Sequence, residues 1–412
     1  DSIQPFPVRV LSISNVDSYH EVTVGIDPSK GDEDEKNSTG GRVLSEHDYV
    51  IARLETGDPK SEIIGIVTQS TFKGSKTESV IKFRFKPHQS KWQVHLRIGL
   101  NWKMKKLCNW ITSIREYSAL HNVGEFRLLK SILSPSSLPI DKEVVETTSD
   151  MLEKSLGVNR SQANSIAFAL NNPNPFTLIQ GPPGTGKTRT ILGLVGALFG
   201  RPCPSLCSKL RPQRLLICAP SNAAIDEIVR RLKGGIYDCY HQQFSPKILR
   251  LGSHEMIHEE VKDLTLDATV ERTFNTACKD SLELLKEQKA SLTKLKKELD
   301  HAEEFSSPDQ QRLKQELWNL KENLKKNSSF IDGTKQTLRN KVVAEAQVIC
   351  TTLSSSGIDL LSKLQFDVVI IDEACQAVET SALIPLQYGC KHCILVGGTF
   401  SSHNFLSLII FH

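Results

Sequence analysis

Residues 176–198 read FTLIQGPPGTGKTRTILGLVGAL. Five residues of strand character run into a loop of glycine and proline, and an apolar helix-forming run follows directly. Few folds accept that order. Gly181, Gly184 and Gly186 free the main chain to close its N–H groups around a phosphate, with Pro182, Pro183 and Thr185 completing the loop. Lys187 is placed to reach the outer phosphates and Thr188 to ligate Mg²⁺, while the helix start adds the positive end of its dipole. The expected ligands are therefore ATP and Mg²⁺. The strand before the loop and the helix after it make this far more specific than the bare eight-residue pattern.

A second stretch, FDVVIIDEACQ at 366–376, supplies what such a loop needs opposite it. Val368 to Ile371 form an unbroken apolar run, as in a strand buried on both faces. Asp372 then leaves the strand end, where a carboxylate can hold the metal shell. Glu373 follows, positioned to polarise an attacking water. The expected catalytic set is Lys187, Asp372 and Glu373, with Thr188 and Asp372 as metal ligands.

The rest of the chain sorts by periodicity. From 176 to 220 and from 347 to 397, apolar strands alternate with helices, the pattern of an α/β parallel sheet of RecA-like type. Residues 1–100 instead hold short Val- and Ile-rich runs (VRVLSI, HEVTVGI, YVIARL, IIGIVTQ, SVIKFRFK) separated by turn clusters, which suggests a small β-barrel. From 101 the sequence is read as helical, giving a stalk over 101–150. Between the α/β parts, residues 255–345 are rich in Leu, Lys and Glu. Leu285, Leu292 and Leu299 recur at seven-residue steps, and Leu313, Leu317, Leu320 and Leu324 follow after the break FSSPDQQ. An antiparallel helical hairpin is expected there. The α/β parts accordingly cover 151–254 and 346–398, and 399–412 forms a divergent tail.

Two further strand ends fall in the α/β part. LLICAPSNAAIDEIV is a buried strand running through Pro220, Ser221 and Asn222 into a helix. VICTTLSSSG is a strand ending at Thr351, Thr352, Leu353 and Ser354. Hydroxyls and amides along one edge of such a sheet can hold the sugar-phosphate of a single strand, although helix capping and turn closure use the same residue types. The long chain between Lys187 and Asp372 argues against a compact unfoldase-type ATPase. A chromosome-scaffold ATPase would carry a much longer coiled coil and a phosphate loop nearer the N-terminus.

Taken in order, these segments resemble superfamily 1B helicases. VNRSQANSIAFAL is similar to the motif in which a glutamine, here Gln162, reads the adenine edge. APSNAAIDE, CTTLSSSG and VVIIDEACQAVE resemble the senataxin-like branch. In that branch a β-barrel, a helical stalk and a helical prong decorate the first RecA-like domain. The resemblance implies ATP-dependent 5′ to 3′ translocation on RNA or DNA with unwinding of duplexes or RNA–DNA hybrids, in the nucleus or otherwise the cytoplasm. It also sets an expectation about the end of the chain. After CILVG the family continues with Asp, Pro and a phosphate-sensing Gln, whereas this sequence reads GTFSSHNFLSLIIFH, so half a motor without a second RecA-like domain is expected. A non-motor regulatory fragment that binds nucleic acid and ATP, or another phosphate-loop ATPase, are the alternatives.

Composition agrees with a globular chain but decides little. The net charge of +4 permits a nucleic-acid partner without demanding one. Ten scattered cysteines and no basic-then-apolar leader point to a reducing compartment. No apolar run is long enough for a membrane span. CKHC at 390–393 and CPSLC at 203–207 lack a partner cluster at zinc-binding spacing. IKFRFK turns Lys82, Arg84 and Lys86 to one side, and Lys103, Lys105 and Lys106 lie near Trp102 and Trp110. These basic residues could line a strand channel or be merely solvated.

Overall fold

A computed structural model describes residues 5–16, 19–26, 44–54, 62–71, 79–86, 97–135, 138–201, 212–278, 283, 287–295 and 307–398. The chain forms two compact units, Asp1–Arg115 and Glu116–His412. CPSLC, Leu285, Leu299 and the FLSLIIF tail lie outside the described residues.

The first unit is a closed six-stranded barrel. Its strands are β1 (Phe6–Val16), β2 (Tyr19–Ile26), β3 (Asp48–Leu54), β4 (Ile63–Thr71), β5 (Ser79–Phe85) and β6 (Asn101–Asn109), in the order β1-β2-β5-β4-β3-β6. Alternation builds it. Ile81, Phe83 and Phe85 are buried, while Lys82 and Arg84 face away. Arg84 pairs with Glu21 at 3.0 Å, so part of that basic face is already neutralised.

The helical reading from 101 is corrected here, because Asn101–Asn109 is a strand. Its lysines suit a helix surface, but Trp102 and Met104 are buried at a two-residue period, which only a strand achieves. β6 closes the barrel by pairing antiparallel with both β1 and β3. Lys106 is held by the buried Asp48 at 2.8 Å. Trp110 lies beyond the strand and stacks on Tyr49 with ring centroids 5.0 Å apart.

Helices begin at α1 (Ile111–His121) and continue through α2 (Leu129–Leu133), α3 (Lys142–Leu156) and α4 (Arg160–Asn171). Asp141 caps α3 by accepting from the N–H groups of Glu143 and Val144. α4 opens with a capping box between Asn159 and Gln162.

The α/β core then runs β7 (Phe176–Gln180), α5 (Lys187–Phe199), β8 (Leu215–Ala219), α6 (Asn222–Lys233), the short ribbon β9 (Ile236–Tyr237) and β10 (Gln243–Phe244), and β11 (Ile248–Leu251). It resumes after an insertion with β12 (Val348–Thr352) and β13 (Val368–Ile371), and closes with β14 (His392–Gly397). Six of these strands form one parallel sheet in the order β11-β12-β8-β13-β14-β7. β8, β13 and β14 are buried along their whole length, which is why they read as unbroken apolar runs. Apolar side chains pack on both faces of the sheet. Burying each large one stabilises the sheet by about 1.5–3 kcal/mol. A parallel sheet puts all its strand C-termini on one edge, the edge where open α/β sheets bind ligands.

The insertion is helical: α7 (Leu266–Ala277), residues 287–295, and the long α8 (Ser307–Glu345). Asp267 pairs with Arg339, Lys335 lies over the Phe274 ring at 5.3 Å, and Asn327 donates to Gln288 at 2.8 Å. One partner's number rises as the other's falls, so the two arms run antiparallel.

Candidate functional site

Three strand ends converge on one edge of the sheet. β7 delivers the 181–188 loop, β13 delivers Asp372 and Glu373, and β14 lies between them in the sheet. The loop is fixed to its neighbour by the N–H of Gly181, which donates to the Gly397 carbonyl at 3.0 Å. Asp372 is fixed on the other side, its N–H donating to Cys218 O of β8 at 2.8 Å.

The loop has the form of an anion cradle. Gly184 and Gly186 sit at φ +81° and +82°, where side chains are disfavoured. A Cβ on Gly186 would lie 2.4 Å from Gln162 Nε2, and one on Gly181 would lie 2.6 Å from Thr185 Oγ1. No acceptor among the described residues takes the N–H of Gly184 or Gly186. Lys187 Nζ folds over the loop and donates to the carbonyls of Gly181 at 2.8 Å and Pro182 at 3.1 Å. Thr185 Oγ1 also donates to Pro182 O. Pro182, Pro183, Gly184 and Thr185 are exposed, and Thr188 is half-buried at the start of α5. Free N–H groups, an ammonium folded over the loop and an open mouth fit a phosphate chain.

Asp372 is buried at the end of β13. Burial pushes its carboxyl above the ordinary aspartate value, and the Glu373 charge adds to that. A hydrogen bond from the Glu373 N–H and the Lys187 ammonium pull the other way. Such a carboxylate, poor in water and near a cation, gains by meeting a second, divalent one. Glu373 adopts a left-handed conformation, φ 51° and ψ 33°, uncommon for a residue with a side chain. That backbone twist turns the chain sharply into the short helix at Ala374–Gln376, and Glu373 itself stays half-buried. Thr188, Asp372 and Lys187 thus supply the donor types that Mg²⁺ and phosphate require.

Gln162 has a different setting from a free base-reading amide. Its Oε1 accepts from the Asn159 N–H at 3.2 Å, and its Nε2 donates to Thr185 O at 3.0 Å. The side chain, 8% exposed, ties the start of α4 to the phosphate loop.

The expected strand-binding residues separate into groups. Ser221 caps α6, its Oγ accepting from the Ala224 N–H at 3.2 Å. Thr352 Oγ1 accepts from the Ser355 N–H at 3.3 Å and closes the turn after β12. Pro220 and Ser354 are half-buried beside them. Thr351 is fully buried, and its hydroxyl has no partner among the described residues. Asn222 Oδ1 accepts from Arg250 Nη2 at 2.8 Å. Arg250 and Asp226, buried and paired at 2.8 Å, escaped the sequence reading. An arginine inside the apolar run ILRL was the available signal. In CKHC, Cys390 and Cys393 are buried and burial raises both thiols. Among the described residues no group of three or more His, Cys, Asp or Glu gathers to hold a metal.

Residues 157–398 match the model of the AAA domain family. The chain is 36% identical to "Helicase sen1" of Schizosaccharomyces pombe over 330 residues, covering 71% of this chain and 19% of that protein. It is 29% identical to "Probable helicase senataxin" of Homo sapiens over 328 residues, covering 70% and 12%. A "Regulator of nonsense transcripts 1 homolog" from Neurospora crassa is 34% identical over 242 residues, covering 58% and 18%. The chain therefore spans less than a fifth of the length of each of these relatives.

Proposed function

The chain belongs to the AAA domain family and is a senataxin-like helicase domain, and on that footing we propose that it binds ATP with Mg²⁺ and couples ATP turnover to movement along single-stranded RNA or DNA. The observation that carries the reading is the meeting of the 181–188 loop and Asp372 on one sheet edge, with the Lys187 charge acting on the Asp372 carboxyl. In this reading the loop N–H groups and Lys187 hold the phosphates. Thr188 and Asp372 hold Mg²⁺, which when bound offsets charge on the phosphoryl oxygens. Glu373 orients the attacking water and accepts its proton. Gln162 holds the loop against α4, and we propose that its remaining amide hydrogen faces the base.

Pro220, Ser221, Asn222, Thr351, Thr352 and Ser354 are proposed as the strand-binding edge. Ser221 contributes through the N–H groups of the α6 start that it organises, and Thr351, buried between β11 and β8, by anchoring the strand end that carries Thr352 and Ser354. The direction of movement, 5′ to 3′, action on RNA–DNA hybrids and a nuclear location are proposed from the family resemblance. No helix among the described residues is long and apolar enough to cross a membrane.

Labelled ATP titrated into the chain, with Mg²⁺ and with EDTA, tests the site. Phosphate release with and without oligouridylate tests the coupling. Metal-dependent ATP binding and strand-stimulated release are expected. Metal-independent binding, or release indifferent to every oligonucleotide, would sink the reading.

A further inference from the structure

Arg250 lies on β11 in the middle of an apolar run, and its side chain is completely buried. Burying a guanidinium needs a reason. Its pairing with Asp226 at 2.8 Å only balances the desolvation, since a buried ion pair seldom outperforms apolar residues of the same volume. The group's remaining hydrogen bonds show where the specificity goes. Nη1 donates to the Leu251 carbonyl, and Nη2 donates to Asn222 Oδ1 at 2.8 Å. Asp226 is held in turn, its second oxygen accepting from the His258 N–H at 2.8 Å. The neighbouring Gly252 leaves room for this arrangement, because a Cβ there would lie 2.9 Å from Nη1.

A guanidinium has donors and no acceptor, so it fixes which end of the Asn222 amide it meets. The oxygen must face Arg250, and the NH₂ must face the other way. No acceptor among the described residues takes those two hydrogens. Asn222 is the first residue of α6, directly after the capping Ser221, where the helix also offers unpaired main-chain N–H groups. Amide hydrogens and helix-start N–H groups on one half-buried site suit an oxygen anion with several lone pairs.

We infer that Arg250 is a positioning residue, which orients the Asn222 amide so that its NH₂ donates to a backbone phosphate of the bound single strand. The inference rests on the strand-binding reading above and deepens it. Asp226 keeps the guanidinium neutralised and in place. The contact reads phosphate, not base, so it serves any sequence.

Fluorescence anisotropy of labelled oligouridylate, with ATP affinity and thermal melting measured alongside, tests this on the full chain. Asn222→Asp preserves the acceptor for Arg250 and replaces the donor with a charged oxygen. It should weaken strand binding about tenfold or more, leaving ATP affinity and melting near those of the unaltered chain. Asn222→Ala should weaken binding by less, because no charge is added. Arg250→Lys keeps a positive charge for Asp226 but loses the planar fork. It should weaken strand binding as Asn222→Ala does, and the double variant should be no worse than either alone. Asn222→Asp binding like the unaltered chain would overturn the inference. So would full affinity in Arg250→Lys, or an additive double variant. If Arg250→Lys does not fold, Asn222→Asp decides alone. If the unaltered chain binds no oligonucleotide, the strand-binding reading falls and takes this inference with it.

Discussion

The N–H of Gly181 donates to the carbonyl of Gly397, joining the first residue of the phosphate loop to the last residue of β14 at 3.0 Å. The loop is therefore hung from the sheet at one end and from α5 at the other. Gly397 is also where the acidic turn packs, since a Cβ there would lie 3.2 Å from the Cys375 nitrogen. One small residue thus spaces the loop from the segment that carries Asp372 and Glu373. Gly397→Val should push the two apart and lower ATP affinity about tenfold, and should cost about 1–3 kcal/mol by overpacking. Isothermal titration and chemical denaturation read the two effects separately.

Lys187→Ala should remove most ATP affinity. Among the described residues the ammonium's hydrogen bonds go to loop carbonyls, so little of the fold depends on it. A charge-assisted bond to phosphate contributes about 1.5–3 kcal/mol, or at least about tenfold in affinity. A labelled-ATP titration checks this, and unchanged affinity would refute the assignment of the site.

Gly186→Ala tests the loop's shape. The added methyl would meet Gln162 Nε2 at 2.4 Å in a left-handed backbone. The Gln162–Thr185 link should break and nucleotide affinity should fall. The accompanying loss of stability should be on the order of 1–2 kcal/mol. Full ATP affinity in this variant would show that the loop is not the cradle.

Asp372→Asn should separate stability from function. The folded-state pKa of Asp372 is raised, so the folded protein holds its proton more tightly than the unfolded chain does. Stability then falls as pH rises from the ordinary aspartate value through the raised one. A neutral isostere that keeps the bond from the Glu373 N–H should raise the melting temperature at pH 7. The same variant should weaken the Mg²⁺ dependence of ATP binding. A lower melting temperature at pH 7 would contradict the sign of this argument.

His392 should make stability fall in mild acid. The ring is buried in β14 and its Nε2 lies 2.9 Å from Thr177 Oγ1, which already accepts from Asn172. Burial against that hydroxyl keeps the ring neutral at pH 7. Burial holds its pKa down to about 4, against a weaker opposing bond to the Asn174 main chain. The unfolded chain binds the extra proton first, so the contribution of His392 to stability declines as pH falls below about 6.5 and is gone below the folded value. Between pH 7 and pH 5 the loss should be on the order of 2 kcal/mol. His392→Gln should flatten that slope in pH-dependent urea denaturation.

What the sequence determined by itself was whatever a short window can encode. The glycines and Lys187 lie within eight residues. β8, β13 and β14 are continuous apolar runs because both faces of the sheet are covered. The hairpin's leucines repeat at helical spacing. Each of these depends on neighbours along the chain, so the family and the strand–loop–helix form of 176–198 were legible in the sequence. Tertiary structure alone decided the rest. The lysines of 103–106 suited a helix surface, and only pairing with β1 and β3 revealed a strand that closes a barrel. The Ser221 hydroxyl could serve a cap or a ligand, and its geometry in the structure makes it the cap. The motif assigns Gln162 to the adenine edge by resemblance, and only the fold shows its amide also bonded to Asn159 and Thr185. The orientation of Asn222 is set by Arg250, a residue on another strand, through a guanidinium that can only donate. Such pairings leave no periodic trace in the sequence, because they are chosen by which groups the packed sheet removes from water together.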